Sequence, residues 1–91
     1  MKSYYLVDCV DVNTKEKKHE VFIGRDVVIL EAEAGKPAWL CIKSDDEWCP
    51  WHRVRTSIVK DVYFYEYEYR KANTEEIKIE TRNTIYYIES K

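Results

Sequence analysis

The sequence predicts an all-β fold, a small antiparallel barrel or sandwich of about six or seven short strands. Three observations carry this. Apolar residues recur with period two rather than 3.6 along most of the chain. Clusters of turn-forming residues separate those runs at short intervals. No intervening segment of a dozen residues has the pattern of a crossover helix, so neighbouring strands are expected to be antiparallel. The 91 residues suit a single β domain over positions 1–91, with no room for a separate substrate domain.

In Tyr4–Val12 the even positions hold Tyr4, Leu6, Val10 and Val12, with Asp8 as the exception. Asn13–Lys18 is a polar turn, and His19–Ile23 reads as a return strand. Gly24-Arg25-Asp26 is the next break. Val27–Leu30 reads as a buried strand running into Glu31–Ala34. A helix over 26–34 competes there, because Glu, Ala and Leu favour helix. The β-branched Val27-Val28-Ile29 and the Gly35-Lys36-Pro37 stop favour strand. Ala38–Lys43 is another strand, which puts Trp39 in the core and Cys41 beside it as a small core residue. Ser44–Pro50 is a loop, since Pro50 cannot donate to a ladder. Arg53–Thr56 alternates like a strand, and Thr56-Ser57 suits a short turn before Val59.

The clearest strand follows. Tyr63, Tyr65, Tyr67 and Tyr69 share one face, and Val62, Phe64, Glu66, Glu68 and Arg70 share the other. Lys71–Thr74 is the next turn. A single strand over Ile77–Ile88 would interrupt its apolar face with Thr81 and Asn83. A two-residue turn at Arg82-Asn83 instead sets Thr81 against Thr84, Ile79 against Tyr86 and Ile77 against Ile88, gathering four large apolar residues on one face. Asn tolerates the positive φ such a turn calls for.

Gly35-Lys36-Pro37-Ala38-Trp39-Leu40, then Trp51–Val59 with Thr56-Ser57-Ile58-Val59, then Glu80–Tyr86 with Thr81-Arg82-Asn83-Thr84-Ile85-Tyr86 occur in that order. Over roughly residues 35–88 this order resembles short β-rich proteins encoded by phages and mobile elements of Gram-positive gut bacteria. Those proteins carry a Thr-Ser-x-Val stretch followed by Thr-x-Asn-Ser/Thr-x-Tyr. The resemblance implies a phage or mobile-element setting and carries over no activity or site residue.

Composition excludes several classes. The apolar share of 45% and the charged share of 35% suit a folded domain. No apolar run reaches the about 20 residues of a membrane span, and no signal-type apolar segment opens the chain. Cys9, Cys41 and Cys49 are odd in number, which argues against a disulfide framework. The expected setting is the cytoplasm, away from membranes. Cys49-Pro50-Trp51-His52 is a Cys-x-x-His pair, but a structural zinc site takes four ligands. Cys9, His19 and Cys41 supply no second close pair. Cys49 beside His52 and Arg53 has the residue types of an activated nucleophile, without a visible oxyanion turn. Gly24 and Gly35 are isolated, so no phosphate-cradling loop is present. The reading is therefore of a non-enzyme, with no catalytic residue, no metal and no cofactor.

What remains is a surface. Residues 31–50 hold five acids against two bases, and residues 51–60 hold three bases and no acid. At this charge boundary stand Asp45, Asp46, Glu47, Trp48, Trp51, His52, Arg53 and Arg55. Trp and Arg dominate protein-interface hot spots, so these eight are the expected partner-binding residues. Tyr63, Tyr65, Tyr67 and Tyr69 form a second candidate face. The leading expectation is a protein-interaction module, an inhibitor or modulator of a host protein such as a defence complex. The alternative is a barrel that binds single-stranded nucleic acid or a nucleotide through Trp51, Arg53, Arg55 and exposed Tyr residues. A third is a structural β-module that forms a homo-oligomer.

Overall fold

In the computed structural model the backbone is described for residues 3–69 and 72–91, and the side chains for residues 3–66 and 74–91. Six strands follow one another: β1 Tyr4–Asp11, β2 Asp26–Glu31, β3 Pro37–Lys43, β4 Trp51–Tyr69, β5 Ala72–Thr81 and β6 Thr84–Ser90. Each pairs antiparallel with the next, and β6 returns to β1 to close the ring. The ring is uneven. β1 and β6 pair from Tyr4↔Ser90 to Asp11↔Thr84, whereas β1 and β2 pair only at Tyr4↔Val27 and Tyr5↔Asp26. Two backbone bonds extend that narrow seam, from Leu6 N–H to the Arg25 carbonyl and from Gly24 N–H to the Leu6 carbonyl (2.9 and 2.7 Å). A 3-10 turn at Glu20–Phe22 is the one helical element among the described residues. No described helix is long and apolar enough to cross a membrane.

The core lies inside the ring and is built from Leu6, Cys9, Val27, Leu40, Ile42, Val59, Ile77, Ile79, Tyr86 and Ile88, with Ala38 filling a narrow position. The β5–β6 hairpin has the register expected from the sequence, with Ile79 opposite Tyr86 and Ile77 opposite Ile88. Its turn is closed differently. Asn83 has no positive φ; instead the buried Thr81 hydroxyl donates to the Thr84 carbonyl (2.7 Å) and accepts from the Thr84 N–H (3.0 Å). The turn also leans on β4, with Arg82 N–H donating to the Ile58 carbonyl and Asn83 N–H to the Ser57 hydroxyl.

Four expectations are corrected. On β1 the inward residues are Leu6 and Cys9 rather than a continuous even set, because the register shifts between Leu6 and Asp8. One extra residue in a bulge exchanges the two faces, which accounts for Asp8. His19–Ile23 is no strand: His19 takes a left-handed φ of 50°, and Phe22 N–H bonds back to the His19 carbonyl. No turn occurs at Thr56-Ser57. β4 runs unbroken through 19 residues and absorbs the irregularity as register shifts against β3 and β5. The Thr56 hydroxyl holds the first of these, accepting from Ala38 N–H (2.8 Å) and donating to the Ser57 carbonyl (2.7 Å). Finally, Ala72–Thr74 belong to β5 rather than to a turn; Arg70 and Lys71 lie outside the described residues.

The length of β4 shapes the whole surface. It pairs with β3 as far as Ile58 and with β5 from Val59 onward. β5 in turn pairs with β6 only over Glu76–Glu80. The outer parts of β4 and β5 therefore extend past the ring as a two-stranded arm.

Candidate functional site

Strand alternation sends successive side chains of β4 to opposite faces. Trp51, Arg53 and Arg55 point out of the ring, opposite Lys43, Cys41 and Trp39 of β3. His52 falls on the other face, opposite Ile42. The predicted cluster is thereby divided in two.

The outer group is centred on Trp39. The Arg53 and Arg55 guanidinium carbons lie 5.4 and 5.8 Å from its ring centroid, and Lys43 lies 5.2 Å from the Trp51 ring. These are cation–π distances. Among the described residues Arg53 and Arg55 meet no carboxylate within ion-pair distance. Val28 and Leu30 of β2 are exposed on the same flank. A cleft of about 430 Å³ opens between Trp51 and the β2 edge at Val28 and Ile29, with Tyr4 on its far wall. A second, of about 300 Å³, lies among Leu30, Glu31, Trp39 and Arg53. Trp39 is half-buried here and lies outside the core, and Cys41 shares its outward face, which corrects both core expectations. The parity of Ala38, Leu40 and Ile42, all buried, carries the signal: Trp39 has the parity of Cys41 and Lys43.

The second group sits at one end of the ring. Arg25 grips Asp45 with two hydrogen bonds (2.7 and 2.5 Å), and this carboxylate raises the Arg25 pKa further. The His52 ring packs on Phe22 at 5.6 Å. An open cleft of about 570 Å³ lies among Phe22, Arg25, Asp46 and His52. Asp46 accepts from Trp48 N–H and Ser44 braces the loop from within, bonding to Asp46 N–H and the Cys49 carbonyl. Trp48 stands at the tip, 96% exposed; Glu47 is exposed beside it. The Cys49 thiol donates to the Trp51 carbonyl, so Cys49 and His52 each have a different partner. No group of three potential ligands that could hold a metal occurs among the described residues. Asp45, Asp46, Glu47 and Trp48 are thus set apart from Trp51, Arg53 and Arg55.

The Tyr face is at the far end of β4. Tyr65 is 51% exposed, and Tyr63 is half-buried under Lys78, whose ammonium lies 5.0 Å from the ring. The Asp61 charge beside it, aided by burial, raises the Tyr63 pKa. The side chains of Tyr67 and Tyr69 lie outside the described residues.

Fold and site together define a six-stranded antiparallel ring with an aromatic–cationic outer face. No protein-family model matches the chain, and neither a curated protein nor a solved structure matches it.

Proposed function

We propose that the protein is a non-enzymatic protein-interaction module whose outer β2–β3–β4 face receives an acidic, aromatic-bearing segment of a protein partner. The observation that supports it is the pair of guanidiniums held on Trp39 with no carboxylate within ion-pair distance among the described residues. A guanidinium stacked on an indole keeps its N–H edge for carboxylates. The flanking clefts, lined by Val28, Ile29 and Leu30, offer apolar walls beside the cations. In the setting that the resemblance implies, the partner is a host protein that a phage or mobile element inhibits. The cytoplasm suits three free thiols.

The test is a Trp-fluorescence and calorimetric titration with a short synthetic Glu/Tyr peptide and, separately, with an oligothymidylate. Peptide binding that is lost in Arg53→Ala/Arg55→Ala and retained in Trp48→Ala supports the reading. Binding of the oligonucleotide but not the peptide replaces it with the nucleic-acid alternative, and binding of neither removes this face as a site.

A further inference from the structure

The outward stripe of β4 is self-complementary about its middle. One end carries Trp51, Arg53 and Arg55. The middle is Ile58, opposite Pro37 and 41% exposed. The other end carries Asp61, Tyr63 and Tyr65, opposite Glu80, Lys78 and Glu76. Glu76 in turn faces Glu89 on β6. Each end therefore carries an excess of one sign: Arg53 and Arg55 beside Glu31 at one, and Asp61 with Glu80 and Glu76 with Glu89 as directly opposed carboxylates around Lys78 at the other. Opposed like charges destabilise a sheet. The two ends cannot neutralise each other within one chain. Six residues of strand separate Arg55 from Asp61, about 20 Å.

We propose that the segment received by the Trp39–Arg53–Arg55 face is the Asp61–Tyr65 part of β4 of a second copy, in a two-fold dimer that packs β4 on β4 in antiparallel sense. The inference rests on the reading of that face given above. With the axis at Ile58, Arg55 of each copy meets Asp61 of the other, Arg53 meets Tyr63, Trp51 meets Tyr65, and the two Ile58 side chains meet at the centre. This is the isologous pattern a two-fold axis demands. A standard interface takes about 800 Å² from each partner, and a molecule with extents of 35 × 34 × 24 Å presents a face of that order. An acidic partner competes with the second copy for the same face.

Sedimentation equilibrium with charge exchange tests this. Wild type is expected to dimerise at micromolar concentration, with an affinity that falls as salt rises. Arg55→Asp and Asp61→Arg alone are each expected to weaken dimerisation at least about tenfold. Combined in one chain they restore it, because Asp at 55 then meets Arg at 61. Ile58→Asp gives a monomer. All three positions are exposed, and circular dichroism with thermal melts verifies that each variant is folded. A wild-type monomer throughout, or a double exchange no tighter than its parents, overturns the dimer. The Glu/Tyr peptide titrated into Ile58→Asp separates the two ideas: binding there beside a monomeric wild type leaves the face standing and removes the dimer.

Discussion

Cys9 and Tyr86 stand directly opposite each other where β1 closes onto β6, and both are buried in the core. Burial pushes the Cys9 thiol from 9.0 up to about 12 against the opposing pull of Lys18. Burial, then the charge of Cys9, pushes the Tyr86 hydroxyl from 10.0 up to about 12. The seam that shuts the ring is thus lined by two groups that fold only in their neutral forms.

That arrangement sets an alkaline limit. Both folded-state pKa values are raised, so the stability these groups confer is intact below their ordinary values of 9.0 and 10.0. It is lost as pH climbs toward about 12, because the unfolded chain releases the protons first. Urea midpoints are expected to fall steadily above about pH 9, and the fall is expected to be shallower in Cys9→Ala whatever its starting stability. Thiol labelling gives an independent check: exposed Cys49 reacts first in the native protein, and Cys9 reacts only on unfolding.

The Thr81 hydroxyl is a second closure. It serves the Thr84 N–H and carbonyl together at a site with no access to water. Thr81→Val keeps the shape and removes both bonds, so a loss of about 1–3 kcal/mol is expected from buried groups left unpaired. Thr81→Ser retains the oxygen and is expected to lose less. Urea unfolding of the two variants decides this; a larger loss in Thr81→Ser than in Thr81→Val would mean that the methyl group, not the hydroxyl, matters.

The hairpin around Thr81 was legible because its pattern is local: two isoleucines face Ile88 and Tyr86 across a two-residue turn, and only that register puts all four inside. β1 was less so. A bulge costs one residue and moves the inward position from Val10 to Cys9, and periodicity averaged over the strand conceals it. Trp39 illustrates another limit. A large aromatic in a strand suggests core, but its parity with Lys43 puts it outside, and Arg53 and Arg55, fourteen and sixteen positions further on, hold it there. Asp45 was legible as charged, but its partner Arg25 lies 20 residues away, and no short-range pattern joins them. The unbroken run of β4 was hidden because Thr56-Ser57 looks like a turn until Ala38 supplies a donor to Thr56.

The three tryptophans should separate in solution. Trp48 is almost fully exposed, Trp51 is 40% exposed and Trp39 is half-buried beneath two guanidiniums. Trp48→Phe is expected to remove the component most readily quenched by acrylamide and to change stability by no more than about 0.5 kcal/mol, as for surface positions generally. Trp39→Phe is expected to remove the least quenchable component. If Trp39 is instead the most quenched, the Arg53 and Arg55 packing is wrong.

The outer part of β4 and β5 sets two carboxylates face to face. Glu66 lies directly opposite Glu75 on β5, and Glu75 also accepts a hydrogen bond from the Tyr4 hydroxyl at 2.6 Å. Directly opposed like charges oppose pairing, and an opposite-charge pair in the same place contributes about 0.2–1 kcal/mol. Glu66→Lys converts one into the other without touching the outward stripe of β4, since Glu66 shares its face with Val62 and Phe64. A domain of this size shifts its Tm by about 4–8 °C per kcal/mol, so a rise of a few degrees is expected by calorimetry. Added salt screens the repulsion in the wild type and the attraction in the variant, so the two melting temperatures are expected to converge as salt is raised. A lower Tm for Glu66→Lys at low salt would contradict the register that sets Glu66 against Glu75.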